Sequence, residues 1–419
     1  MPAKGATLAL ISLGCAKNAA DLEVMAGNLL KKGCVLSPDP DRADVAIVNT
    51  CAFIASAREE AEREIARALA LKAAGRYGRV VVAGCYPQRY PKAKAKFPGV
   101  DAWQGVPQEW IESAMPALRL TGKAFAYLKI AEGCAHRCAY CAIPSIRGKY
   151  RSRPVRAILR EAKALLASGC RELNVVAQDP MLYGRDFKDG GKTNLVSLLE
   201  KLDALPGRFW IRVLYSYPSE IDDDFIVWLA TSPHAVHYVD VPVQHTVPAV
   251  LRRMRRAAAV EATRTAAETL RAFIPDVTLR TTVMTGFPGE TPARFAELRS
   301  DLARMQFDRL GAFAFSPEKG TPAAKMSGRP SRRVAEEREK IVMADAERLW
   351  KVRAARMVGE THEALVVAPG VARMASQSPD VDGVVYLLDS KKARRAAAGD
   401  FVKVRLGKVC GFDFEAEVV

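Results

Sequence analysis

The sequence predicts an α/β protein of three units: an N-terminal open parallel α/β domain, a central partial (β/α) barrel and a small C-terminal β-barrel. Apolar runs of strand length alternate with helical stretches along most of the chain, as in parallel sheets. A segment richer in Gly and Pro, near residues 99–122, interrupts the alternation once. Beyond residue 359 short β-rich runs replace it. We place the units at residues 1–122, 123–356 and 357–419.

In the first unit, three predicted strands each lead to a cysteine. The strands lie near residues 8–13, 45–48 and 80–83, with helices near 21–31 and 56–74 between them, and the cysteines that follow are Cys15, Cys51 and Cys85. The carboxyl ends of parallel strands share one edge of a sheet, where ligands bind. We therefore expect the three thiols to converge on one site. The alternative is three small buried side chains that bind nothing.

The central unit contains six predicted strands that alternate with helices. The strands are expected near residues 126–130, 172–177, 210–215, 236–241, 278–285 and 311–315, and the helices near 155–168, 195–204, 219–230, 261–273 and 292–305. Such repetition favours a barrel-like sheet with its chemistry at the carboxyl ends of the strands. A long charged helix near residues 331–357 follows, and runs near 363–367, 383–388, 401–406 and 412–418 predict the terminal β-barrel.

Charge is distributed unevenly between these units. The chain carries a net charge of +16, but residues 360–419 hold eight Lys and Arg against nine Asp and Glu. A net positive charge is consistent with an anionic partner such as nucleic acid. The densest basic cluster comprises Arg252, Arg253, Arg255 and Arg256. We interpret it as a solvated helix face, with contact to RNA or to an acidic surface as the functional alternative.

The composition also bears on the compartment. No apolar run approaches the ~18–20 residues of a membrane helix, and the apolar stretch after Lys4 lacks the small-residue cleavage site of a signal peptide. We interpret that stretch as the first strand. Nine cysteines without regular pairing argue against a disulfide framework. We expect metal or redox chemistry in a reducing cytoplasm.

The strongest motif is the run Cys134-Ala-His-Arg-Cys138-Ala-Tyr-Cys141. Three thiolates on one short loop can hold three irons of a cubane cluster and leave the fourth iron open to an outside ligand. Structural zinc usually takes four protein ligands, and no fourth cysteine or suitably spaced histidine follows nearby. His136 is interpreted as a supporting residue of the loop and not as a ligand.

This C-x3-C-x2-C run, with Tyr140 before its last cysteine, resembles the radical S-adenosylmethionine (SAM) superfamily. The resemblance implies a 4Fe–4S cluster on Cys134, Cys138 and Cys141, the catalytic cysteines. It implies that the open iron binds SAM through its amino and carboxylate groups, and that one electron splits SAM into methionine and a 5′-deoxyadenosyl radical. Tyr140 is then expected against the adenine.

Flanking motifs resemble one family within this superfamily, the methylthiotransferases. The segments around Cys15, Cys51 and Cys85 resemble the N-terminal domain of that family, which implies a second 4Fe–4S cluster on these cysteines. The last unit resembles a TRAM domain. Further motifs are similar to the ribosomal-protein-modifying (RimO-type) members: Ile143–Gly148 with Ser152–Pro154, Gln178-Asp179, Asp240–His245, Gly286–Thr291 and Asp382–Tyr386. Pro180-Met181 departs from the usual family pattern.

The resemblance implies transfer of a methylthio group to the β-carbon of an aspartate in small-subunit ribosomal protein twelve. It implies two SAM molecules, two 4Fe–4S clusters and an electron donor such as a flavodoxin or ferredoxin. The remaining expected SAM contacts are Gln178, Asp179, Gln244 and Gly286, although the three polar residues could instead cap helices.

Two alternatives stay open at the level of sequence. The nearer is a tRNA adenosine methylthiotransferase of the MiaB type, whose binding should weaken steeply with salt. The net charge of −1 over residues 360–419 suits a basic protein better than an RNA backbone. The remoter alternative is an iron–sulfur or RNA-binding protein without catalytic activity.

Overall fold

A computed structural model describes residues 4–107, 118–256 and 259–419. The N-terminal unit is a five-stranded, all-parallel sheet in the order β2-β1-β3-β4-β5. Its strands are β1 Thr7–Ser12, β2 Val35–Leu36, β3 Ala43–Thr50, β4 Tyr77–Gly84 and β5 Ala102–Trp103. Its helices are α1 Ala16–Lys31, α2 Ala55–Ala73 and α3 Cys85–Arg89.

The register of this sheet aligns the ends of its three central strands. Ser12 of β1 pairs with Asn49 of β3, and Thr50 of β3 pairs with Gly84 of β4. The chain leaves each strand end through a cysteine within three residues. Helix α1 begins five residues earlier than predicted, because its first turn contains Lys17 and the buried Asn18 and so lacks an apolar stripe.

The central unit contains two three-stranded parallel sheets, β10-β9-β6 and β11-β12-β13. A parallel bridge between Ile211 and Ala235 joins them, so that six parallel strands form a partial barrel. These strands are β6 Phe125–Lys129, β9 Glu172–Val176, β10 Trp210–Val213, β11 Tyr238–Asp240, β12 Thr278–Thr285 and β13 Arg309–Ala314. All six predicted strands are confirmed.

The central unit also contains helices, most of which pack around this barrel. They are α4 Ile143–Arg147, α5 Val155–Ala167, α6 Leu195–Asp203, α7 Asp223–Thr231, α8 Pro248–Met254, α9 Ala259–Phe273, α10 Pro292–Met305 and α11 Arg332–Met357. On α5, Ile158, Ala162 and Leu165 recur at helical spacing and are buried in the main core. A short antiparallel pair, β7 Ala131–Glu132 and β8 Arg151–Ser152, brackets the cysteine loop.

The C-terminal unit is a closed five-stranded barrel in the order β14-β15-β16-β18-β17. Its elements are β14 Thr361–Ala368, β15 Val371–Met374, β16 Val385–Leu387, α12 Lys391–Arg395, β17 Phe401–Cys410 and β18 Asp413–Val418. The sequence did not predict β15, a four-residue strand whose apolar run is interrupted by Arg373.

Residues 375–382, which we call the insertion loop, leave this small barrel and enter the central one. Arg212 of β10 donates to the Ala375 carbonyl at 2.8 Å, and the Tyr127 hydroxyl donates to Asp380. Arg373, at the base of the loop, forms a buried ion pair with Glu172, which also pairs with Arg212. The C-terminal unit therefore completes the interior of the central unit.

No helix in the described part of the chain has both the length and the apolar character needed to cross a bilayer.

Candidate iron–sulfur and SAM site

Cys15, Cys51 and Cys85, which we call the N-terminal cysteine site, lie at the carboxyl edge of the five-stranded sheet. The backbone before Cys15 passes close to Cys51. Gly14 has a φ of +97°, and a Cβ there would stand 2.7 Å from the Cβ of Cys51. Only glycine fits this conformation without displacing Cys51. The predicted meeting of these three strand ends is therefore observed, while their role as ligands stays a prediction.

The three thiols of this site differ in their electrostatics. Burial raises the pKa of the Cys85 thiol to about 11, and it raises the pKa of Cys51 as well. At Cys15, desolvation opposes ionisation, but the charges of Lys17 and Arg147 outweigh it and lower the pKa of the thiol. Cys15 is thus the thiol of this site that most readily becomes a thiolate.

Arg147 connects this site to the central unit. It ends α4, the helix that follows the second cysteine group. Its guanidinium donates to Cys85 Sγ at 3.2 Å and to Asn18 Oδ1 at 2.5 Å. Asn18 in turn donates to the carbonyl oxygen of Thr50, beside Cys51. One arginine of the central unit therefore helps to hold two of the three strand ends.

The charge of Arg147 is balanced inside the protein. Its Nη1 lies 2.8 Å from Asp21 and 3.0 Å from Glu132, and Lys129 pairs with both of these carboxylates. Burial alone would raise the pKa of Glu132, but Lys129 and Arg147 hold it below its usual value. Four buried charges, two of each sign, thus bind α1 to the central barrel.

The second group, Cys134, Cys138 and Cys141, lies on the loop between β7 and α4, which we call the central cysteine loop. All three cysteines are half-buried. The loop is anchored by its backbone, since the Ala139 N–H donates to the Met254 carbonyl oxygen. Burial raises the pKa of the Cys134 thiol to about 11 and that of Cys141 to about 12.

Arg256 and an aromatic stack brace this loop from the barrel side. Arg256 donates to the Pro242 carbonyl oxygen at 2.8 Å and stands 3.8 Å from Cys138 Sγ. Its guanidinium also lies 4.1 Å from the centroid of Tyr217, whose ring stacks on His136 at 3.8 Å. His136 Nε2 lies 2.6 Å from Asp179. These contacts give His136 the predicted supporting place.

Both sites have the donor chemistry that an iron–sulfur cluster needs. Each group offers three thiols and has one arginine beside a sulfur, Arg147 or Arg256, which favours an anionic cluster. Within the described residues, no three His, Cys, Asp or Glu side chains converge as they would around a single metal ion. A cubane binds its three cysteines through three different irons, so its ligands stand further apart.

Buried polar atoms without partners mark the space beside the central cysteine loop. Among the described residues, both amide atoms of Gln178, the Gln244 Oε1 and the Thr246 hydroxyl are buried and make no hydrogen bond. Gln244 also has a φ of +67°, a strained conformation for a side chain other than glycine. Such groups are costly unless a ligand satisfies them, so this part of the barrel fits a polar molecule such as SAM.

The other predicted SAM contacts, Tyr140, Asp179 and Gly286, each have a different partner within the protein. Tyr140 is half-buried and presents its ring edge-on to Phe287. Asp179 accepts from the Met181 N–H in addition to contacting His136. Gly286 has a φ of +73°, and a Cβ there would stand 2.2 Å from the Cβ of Ala335 on α11. Helix packing therefore accounts for this glycine without any ligand.

The basic cluster is not the uniformly solvated helix face that we predicted. Arg253 donates to the carbonyl oxygens of Pro288 and Ser327, and Arg256 is buried at the central cysteine loop. Two of its four arginines are thus bound within the protein. Arg253 is bound from within α8, and Arg256 is buried because α8 ends at Met254 and the chain turns inward after it.

A cavity of about 370 Å³ lies beside Cys15, where all three units meet. Its walls include Cys15 from the first unit, Tyr215, Asp240 and Arg280 from the central barrel, and Asp380 from the insertion loop. The burial of Asp240 raises the pKa of its carboxyl although Arg280 opposes this. The cavity opens next to the N-terminal cysteine site.

Sequence reasoning missed the residues that connect the parts of the site. Arg147 lies six residues after Cys141 in a segment that was noted only as a family motif, and neither Arg256 nor Lys17 was singled out for a site role. The one available signal was position, and it applies to two of them, because Lys17 lies two residues after Cys15 and Arg147 six residues after Cys141. Arg256 lies 16 residues beyond the end of β11 and gave no such signal.

Comparisons with known proteins identify the family of the chain. Residues 7–105 match the uncharacterized protein family UPF0004, residues 128–302 match the radical SAM superfamily and residues 357–419 match the TRAM domain. Relatives named ribosomal protein uS12 methylthiotransferase RimO cover nearly the whole chain. The protein from Moorella thermoacetica is 40% identical over 98% of this chain and 99% of its own. That from Syntrophus aciditrophicus is 39% identical over 98% of both.

Solved structures with the same fold are more distant in sequence. The radical SAM methyltransferase TsrM from Kitasatospora setae, solved with tryptophan and a SAM analog, is 15% identical with a TM-score of 0.56, over 94% of this chain and 81% of its own. At that identity the likeness shows the fold alone. Sequence relationship and domain order agree, and the chain belongs to the RimO family of radical SAM methylthiotransferases.

Proposed function

We propose that this protein adds a methylthio group to the β-carbon of an aspartate in ribosomal protein uS12, the small-subunit ribosomal protein twelve, in the cytoplasm. Relatives 38–40% identical over 98% of the chain are named for methylthio transfer to that protein. The contact of Arg147 with Cys85 carries the proposal, because it joins the helix that follows the central cysteine loop to the N-terminal cysteine site. Methylthio transfer needs a radical source and a sulfur source side by side.

Two 4Fe–4S clusters belong to this proposal. Cys134, Cys138 and Cys141 would hold the first, and Cys15, Cys51 and Cys85 the second. When bound, the first supplies the electron that cleaves SAM and the second supplies the site for sulfur. Two SAM molecules are needed, one for the radical and one for the methyl group, and the electron would come from a flavodoxin or ferredoxin.

The protein's own residues would bind SAM, orient the central cysteine loop and shield the site from water. Gln178, Gln244 and Asp179 would hydrogen-bond to SAM, Tyr140 would pack against its adenine, and the Gly286 backbone would line the same space. Arg256 holds the central cysteine loop against the barrel. The insertion loop closes the barrel interior, which keeps water away from a reactive radical.

The test is mass spectrometry on uS12 and on bulk tRNA, each incubated with anaerobically reconstituted protein, SAM, sulfide and reductant. We expect a methylthio mass gain on one aspartate of uS12. The Cys138→Ala variant, reconstituted in the same way, is the control and should give no gain.

Other outcomes would change the proposal in defined ways. A gain on tRNA adenosine alone would keep the chemistry and overturn the substrate. Formation of 5′-deoxyadenosine without a gain on either would overturn both substrates and leave a radical SAM enzyme with another target.

A further inference from the structure

We propose that Lys17 binds the carboxylate of the target aspartate and thereby selects aspartate over its amide. This inference rests on the proposed function. Lys17 is the second residue of α1, two positions after Cys15, and is half-buried. Its Nζ lies 3.4 Å from the centroid of the Tyr215 ring. Tyr215 and Cys15 both line the cavity between the three units.

Lys17 differs from the other cations around the two cysteine sites. Arg147 is paired with Asp21 and Glu132, and Arg280 with Asp240 and Asp382. Arg256 is committed to a carbonyl oxygen and to the central cysteine loop. Within the part of the chain that the structure describes, Lys17 has no carboxylate at salt-bridge distance. Its partners are Tyr215, which it meets at the ring face and at the hydroxyl, and the nearby Cys15 thiol.

A ring face holds an ammonium group without using up its donors. The group has three N–H donors, and a cation–π contact occupies one side of it. Tyr215 stands just beyond the carboxyl end of β10 with a φ of +72°, a strained conformation that the surrounding packing maintains. The ammonium is therefore fixed in place while keeping donors for an anion.

The proposed reaction places a carboxylate close to this ammonium. The carbon that accepts sulfur is bonded directly to the carboxylate carbon of the aspartate. That carbon must approach the N-terminal cysteine site, and Lys17 is two residues from Cys15. A lysine ammonium forms a charge-assisted hydrogen bond with a carboxylate but a weaker one with a neutral amide, so the site should favour aspartate by about tenfold or more.

The experiment compares two proteins on two substrates. Wild-type protein and Lys17→Gln are assayed for methylthio transfer to full-length uS12 that carries either its natural target aspartate or asparagine there. Iron content and the absorption and EPR spectra are recorded for each reconstituted protein. Lys163→Gln, on the exposed face of α5, is the matched control.

We expect wild type and Lys163→Gln to prefer aspartate by about tenfold or more in kcat/KM. Lys17→Gln should lose at least about tenfold on aspartate and show a preference near one, with unchanged iron content and spectra, whereas Lys17→Arg should recover part of the preference. An unchanged preference in Lys17→Gln would overturn the inference, as would loss of iron in that variant, which would indicate a structural role. Absence of product from wild type on uS12 would instead overturn the proposed function, and this inference with it.

Discussion

The two cysteine sites are assembled in opposite ways. The central cysteine loop gathers its three thiols from residues 134–141, on one connection between β7 and α4. The N-terminal cysteine site takes one thiol from each of three strand ends, at residues 15, 51 and 85, and a side chain of the central unit completes it. The first site is a local property of the chain, whereas the second depends on sheet register and on packing between units.

The two sites should differ most in their effect on SAM cleavage and methylthio transfer when one cysteine of each site is replaced. We expect Cys138→Ala to abolish SAM cleavage, and Cys51→Ser to retain cleavage while losing methylthio transfer, because the two sites perform separate parts of the reaction. Chromatographic assay of 5′-deoxyadenosine together with mass spectrometry of uS12 measures both. SAM cleavage that persists in Cys138→Ala, or is lost in Cys51→Ser, would show that the two sites do not perform separate parts of the reaction.

Replacement of Arg147, which connects the central unit to the N-terminal cysteine site, should have the next largest effect, on iron content and on stability. Arg147→Met leaves Asp21 and Glu132 with one buried cation in place of two, at a cost of about 3–5 kcal/mol in the free energy of unfolding. We expect the N-terminal cysteine site to lose iron, while the central cysteine loop keeps its own. Iron analysis and urea unfolding measure these effects.

Arg147→Lys is the matched control for that change. It keeps the charge but loses the planar fork that reaches both Asn18 and Asp21. An intermediate loss of stability is expected. Equal iron content in Arg147→Met and wild type would show that the contact with Cys85 does not support the N-terminal cysteine site.

Alanine substitutions at two glycines distinguish the effect of backbone strain from that of steric crowding near the cysteine sites. Gly14 and Gly148 both have positive φ, +97° and +78°, but a Cβ would meet Cys51 at 2.7 Å in the first case and open space in the second. Substitution by Ala should cost about 1–2 kcal/mol at either position for strain, with about 1–3 kcal/mol more at Gly14 for overpacking. Thermal unfolding of both variants provides the comparison, and equal losses would contradict the close approach at Cys51.

The last expected effect depends on pH and concerns Glu23, on the helix that begins beside Cys15. Glu23 is buried, and burial raises the pKa of its carboxyl from 4.5 to about 7 although the Leu120 N–H donates to it. The folded state therefore holds the proton more tightly than the unfolded state. Stability is fully present below pH 4.5 and falls as the pH rises to about 7.

Glu23→Gln keeps the acceptor and removes the charge. We expect it to gain at most about 3 kcal/mol of stability at pH 8 and close to nothing at pH 4. Urea unfolding at the two pH values measures the gain. A gain of the same size at both would show that packing and not ionisation is responsible.

The contrast between a locally encoded site and one assembled by tertiary packing explains which features could be predicted from the sequence. The spacing of Cys134, Cys138 and Cys141 is visible directly, and alternation of strands and helices was enough to place the first three cysteines at one sheet edge. The contact between Arg147 and Cys85 was not predictable, because it joins residues 62 positions apart across two units and follows no periodic pattern. Arg253 and Arg256 were misjudged for a similar reason, since only tertiary packing turns them inward.

The insertion loop has a consequence for the order in which this chain folds during synthesis. Arg373 joins Glu172 across 201 positions of sequence, and residues 375–382 fill the barrel that residues 125–314 begin to build. The N-terminal sheet can fold as soon as it emerges from the ribosome, but the central barrel stays incomplete until residues 373–382 have been synthesised as well. A premature stop before residue 373 would therefore leave an unfinished barrel as well as a missing terminal domain, and quality-control proteases would degrade such a product.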